Sequence, residues 1–93
     1  MIATTGLNHA EVLEDYLSRF HYQIKIDKRS AGWYEREEKE AIVNWTRDNC
    51  GIEYKDWYAW VGGVKDPFVV FAFVTQSRAN WFMLRWGEYV VNN

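Results

Sequence analysis

The chain has 93 residues, 48% apolar and 26% charged, an ordinary globular balance that predicts one domain over residues 1–93 and argues against disorder. Eleven Lys and Arg against thirteen Asp and Glu leave a net charge of −2, too acidic for a dedicated phosphate-backbone binder and too weakly acidic for a mimic of DNA. With Cys50 as its single cysteine, the chain has neither an internal disulfide nor a cysteine-built zinc site.

The first predicted element is a helix from Asn8 to Phe20. Asn8 is a strong N-cap, Glu11 completes a capping box, and Leu7 can staple onto Val12. Ala10, Leu13, Leu17 and Phe20 then fall on one helical face. The segment HYQIKID follows as a half-buried strand, with Tyr22, Ile24 and Ile26 alternating against polar neighbours. A second helix is expected from Tyr34 to Asn49, lined inward by Tyr34, Ala41, Ile42 and Trp45. Glu35–Lys39 and Arg36–Glu40 are favourable pairs on its other sides. Gly51 suits the left-handed residue that ends it.

Asp56–Val61 and Phe68–Thr75 read as two strands of an antiparallel hairpin, joined through Gly62-Gly63 and Asp66-Pro67. The next segment alternates poorly, because Trp81, Phe82, Met83 and Leu84 are all apolar. As a helix from Ser77 it places Ala79, Phe82, Met83 and Trp86 on one face, with Gly87 at its end. A short strand, Glu88–Val91, closes the chain. The order of elements predicts an α+β fold. It is the ferredoxin-like split βαβ unit, a four-stranded antiparallel sheet with two helices, preceded by an extra N-terminal helix. Both sides of Phe68–Thr75 are apolar, so the second sheet face needs a cover, either the first helix or the partner subunit of a homodimer.

No catalytic constellation is present. His9 and His21 lack the spacing of a helical metal pair, so no metal or other cofactor is expected. Cys50 near a helix C-terminus sits where the dipole disfavours a thiolate, which suits a packing residue. The charge run Glu35–Glu40 is a solvated helix face. The N-terminus lacks the pattern of a signal peptide, and the longest apolar run, Phe68–Val74, is far short of the roughly 20 residues that span a bilayer. The expected setting is the cytoplasm, without a membrane partner.

Aromatic residues make up 18% of the chain, more than a core of this size readily hides. On the last helix Arg78, Trp81 and Arg85 are spaced to stack opposite the buried face, with both guanidinium groups on the indole. Trp and Arg dominate interface hot spots, so these three are the expected protein-binding residues. Trp57 and Trp60 cannot share a strand face, which makes one of them a further contact residue.

Two resemblances bear on partners. Val69–Gln76 resembles the RNP1 signature of the RNA recognition motif in its central F-A-F-V, without the leading basic residue and glycine or the closing aromatic. That resemblance implies single-stranded RNA stacking on Phe71 and Phe73 of an open sheet face, with Lys25 in place of the third aromatic. The acidic chain disfavours nucleic acid, and protein binding is the first expectation. Phe71, Phe73, Ala79, Phe82, Leu84, Trp86 and Gly87 together resemble the C-terminal part of small tailed-bacteriophage proteins with an F-x-F strand and an A-x-x-F-x-L-x-W-G helix. This resemblance implies a viral origin and, by analogy, a host protein as the partner to be modulated.

Overall fold

The computed structural model describes residues 18–63 and 65–91. The elements are β1 (Tyr22–Asp27), α1 (Arg36–Asn49), β2 (Trp57–Trp60), β3 (Phe68–Phe73) and α2 (Gln76–Trp86), followed by a 3-10 turn at Gly87–Tyr89. They form an α+β fold with a three-stranded antiparallel sheet, in the order β1-β3-β2, and two helices. The helix expected over Asn8–Phe20 lies outside the described residues except at its end, where Ser18 and Arg19 stand in a turn.

Register decides which side of the sheet is covered. Ile24 opposes Phe71 and Ile26 opposes Val69 across β1 and β3, while Trp57 opposes Phe73 across β2 and β3. Opposed residues of an antiparallel pair point to the same side. Ile24, Ile26, Trp57, Val69, Phe71 and Phe73 therefore build one continuous apolar surface, and the helices press Ile42, Ala79, Phe82 and Trp86 onto it. Phe82 is the centre of that contact, stacked on Phe71 with ring centroids 4.7 Å apart and tilted against Phe73 at 5.4 Å.

This corrects the expected orientation of Phe71 and Phe73. Both lie fully buried beneath α2, and neither belongs to a face awaiting a cover. The opposite face carries Gln23 and Lys25 of β1, Tyr58 and Trp60 of β2, and Phe68, Val70 and Ala72 of β3.

The helices also differ in detail from expectation. α1 starts at Arg36, because Tyr34 and Glu35 are held in a turn by the Glu35 N–H donating to Gly32 O at 2.9 Å. Its buried residues are Ile42 and Thr46, while Tyr34 and Ala41 are exposed. The Thr46 hydroxyl donates to Ile42 O at 2.7 Å, so its burial leaves no donor unpaired. α2 is capped by Thr75, whose Oγ1 accepts from Arg78 N–H at 3.4 Å. Ala79, Phe82 and Trp86 face inward as expected, but Met83 is exposed.

Four strands were expected, and three form among the described residues. Gly87 keeps right-handed backbone (φ −58°, ψ −25°), so the chain continues to coil through Tyr89. Of the described residues beyond it, Val90 and Val91 remain to pair. Val90 makes a single antiparallel bridge to Ile26, and the Val91 N–H donates to Lys25 O at 2.8 Å.

Candidate protein-binding surface

α2 turns Trp81 outward, with 49% of its surface exposed. Its neighbours are not the expected ones. The Arg78 guanidinium reaches away to Asp56 Oδ1 at 3.1 Å. That of Arg85 lies over the Trp86 ring, 3.8 Å from its centroid. Trp81 instead meets Trp45 of α1, centroids 6.3 Å apart and planes tilted by 31°. Helix packing explains the change. α1 brings Trp45 alongside α2, where it also touches Phe82 and Trp86 edge-on, and a flat indole buries more area against another ring than against a hydrated guanidinium.

Trp45 and Trp81 thus bridge the two helices at the surface. Leu84, one turn after Trp81, extends this patch and is 79% exposed. Sequence reasoning missed Leu84 as a contact residue. The signal was available, since Leu84 falls outside the inward stripe of Ala79, Phe82 and Trp86 and follows Trp81 by three positions.

Asp56 fixes the loop beside this patch. Its Oδ2 accepts from Ile52 N–H at 2.8 Å, its Oδ1 takes Arg78, and its backbone carbonyl accepts from Val74 N–H at 3.0 Å. One residue therefore ties the end of α1, the end of β3 and the start of α2. Gly51 makes this approach possible with φ +99°, since a Cβ there would stand 2.4 Å from Asp56 Oδ2. The loop holds up Ile52 and Tyr54, each 62% exposed, and Tyr54 itself has a left-handed φ of +70°.

Trp57 and Trp60 separate as strand geometry requires. Trp57 is fully buried, its indole N–H donating to Gly51 O at 3.0 Å, which removes it from the contact residues. Trp60 is 52% exposed on the face away from the helices. Lys25 Nζ stands 5.0 Å above the Phe68 ring, and Tyr58 receives Phe20 edge-on at 4.8 Å.

Cys50 is buried, and its thiol is pushed up from 9.0 to about 11 by burial, partly opposed by the Arg78 charge. It packs with Sγ 3.8 Å from Arg78 O. His21 is exposed beside Tyr22, and His9 lies outside the described residues. Among the described residues no three His, Cys, Asp or Glu side chains group as metal ligands, and no helix is long and apolar enough to cross a membrane. No protein-family model, curated protein or solved structure matches the chain.

Proposed function

We propose that this chain is a small non-enzymatic protein-binding module that docks a partner protein on its helix layer. The observation that carries the reading is the pairing of Trp81 with Trp45 across the two helices, extended by Leu84. Contiguous exposed apolar surface mixed with Trp and Arg is the composition of an interface hot spot. Covering Leu84 alone is worth about 1.5–3 kcal/mol of apolar transfer before the costs of association. Arg85 and Arg78 border the patch, which gives it a polar rim. The bacteriophage-like pattern of β3 and α2 supports a host protein in the cytoplasm as the partner, with the chain as its modulator.

The fold plan we infer is ferredoxin-like with a reduced fourth strand. The β1-β3-β2 order and the Val90 bridge on the free edge of β1, where a fourth strand would pair, support it. An added N-terminal helix remains part of this plan.

The test is affinity capture from host lysate with wild type, a Trp81→Ala/Leu84→Asp variant and a Trp60→Ala variant, all checked for folding. A partner held by wild type and Trp60→Ala but released by the double variant is expected. Retention of every partner by the folded double variant would sink the reading.

A second reading, binding of single-stranded RNA on the sheet, is favoured by the rings of Tyr58, Trp60 and Phe68 beside Lys25 on the face away from the helices. Such rings can stack on unpaired bases. It no longer involves Phe71 or Phe73. Salt-dependent binding of an RNA oligonucleotide, lost in Trp60→Ala and kept in Trp81→Ala, is its expected result. A homodimer pairing these faces would instead double the mass by light scattering, and Trp60→Ala would return it to the monomer.

A further inference from the structure

The turn between β1 and α1 buries a cation. Lys28 is only 2% exposed, and both its backbone groups are fixed, N–H to Pro67 O at 2.9 Å and carbonyl to Trp33 N–H at 2.8 Å. Its ammonium donates to Gly63 O at 3.2 Å. None of the three ion pairs among the described residues includes it.

A lysine that packs its stem and caps a carbonyl is the ordinary explanation, and here it falls short. An ammonium carries three donors, and a buried charge with one long hydrogen bond is costly. The surroundings add to the imbalance. Lys28 lines a cavity of about 400 Å³ together with Trp33, Tyr34, Arg36, Lys39, Gly62 and Gly63; among the described residues no carboxylate lines it, the Asp66 carboxylate standing behind Gly62. Lys39 Nζ stands 5.6 Å from the Trp33 ring centroid, and Arg36 is tied at 3.1 Å to Glu40 in an exposed pair that an incoming anion can outcompete. Three cationic residues line one concavity of a chain whose net charge is −2.

We propose that this cavity binds a phosphate group, with the buried Lys28 ammonium as its principal donor and Lys39 and Arg36 closing over it from the first turn of α1. Phosphate presents enough acceptor oxygens to satisfy the remaining Lys28 donors and meet the two rim cations together. Trp33 and Tyr34 supply apolar wall for whatever carries the group. Free phosphate and an aromatic phosphate ester share this chemistry.

The experiment titrates wild type, Lys28→Met and Lys39→Gln with inorganic phosphate, phenyl phosphate and chloride at fixed pH and ionic strength. Calorimetry and melting temperature are the readouts, since a ligand of the native state raises the latter. Both phosphates are expected to bind wild type and raise its melting temperature, with no response to chloride. Lys28→Met, which keeps the stem, should weaken binding by about tenfold or more, and Lys39→Gln by about threefold. Tighter binding of phenyl phosphate assigns the site to an ester, and equal binding assigns it to the free ion. Indistinguishable responses to phosphate and chloride, or unchanged affinity in folded Lys28→Met, would overturn the proposal. Should Lys28→Met fail to fold, unchanged affinity in Lys39→Gln overturns it instead.

Discussion

Trp81 on the helix layer and Trp60 on the sheet expose nearly the same fraction of their surface, 49% and 52%, yet they present different chemistry. Trp81 lies against another indole and near the bare Leu84, so a partner arriving there meets mostly carbon. Trp60 shares its face with Phe68 and Val70 but also with Gln23, Lys25 and Tyr58, and Lys25 already occupies the Phe68 ring. Exposure alone therefore does not rank the two as anchors. The company of each ring does, because a hot spot needs neighbours that exclude water around it.

Substitutions on and behind these faces test the contrast. The largest effect belongs behind the sheet face. Phe71→Ala removes a ring packed on Trp33, Trp57 and Phe82, and should cost about 3–5 kcal/mol by urea denaturation. A cost near 1 kcal/mol would contradict the assignment of Phe71 to the core.

Next comes the support of the helix-layer surface. Asp56→Ala strands the Ile52 N–H and frees Arg78, for an expected loss of about 1–2 kcal/mol. Gly51→Ala, forced to keep a left-handed φ with its Cβ against Asp56, should lose at least about 1 kcal/mol. Both should also weaken partner capture, because Arg78, which borders the patch, loses its anchor on Asp56. Sheet-face binding should not respond.

Cys50 reports on the same region through pH. Its thiol titrates near 9.0 when unfolded and at about 11 when folded, so the unfolded chain loses its proton first. Cys50 thus contributes stability in full below about pH 9, and that contribution falls as pH rises towards 11. Denaturation at a series of pH values, compared with Cys50→Ala, should show the excess slope in wild type alone. Native Cys50 should also resist thiol reagents that label it at once in urea.

The smallest stability effects are expected at the two exposed rings. Trp81→Ala and Trp60→Ala should each cost about 1 kcal/mol or less, while each abolishes binding only on its own face. A loss of several kcal/mol in either would mean the ring is structural.

Much of this architecture is legible in the sequence. Alternation in HYQIKID marks β1, and the Ala79–Phe82–Trp86 spacing marks α2 as a helix where alternation fails. Gly51 announces the left-handed end of α1. Separation by three positions guarantees that Trp57 and Trp60 part company. These are properties of local backbone period and φ, which a residue carries with it.

Other features belong to the tertiary structure. Period sorts β3 into two sets, Val69–Phe71–Phe73 and Phe68–Val70–Ala72, but both are apolar, so period cannot say which faces the helices. Pairing with Ile24 and Ile26 decides it. Spacing brings Arg78 and Arg85 within reach of Trp81, but Asp56 and Trp86 take them, and Trp45 arrives from another helix to take the indole. Lys28 reads as one more charge after a strand until Gly63, far along the chain, closes over it. Faces follow from periodicity within a segment, whereas burial and partners are set by competition among segments that meet only once the chain has folded.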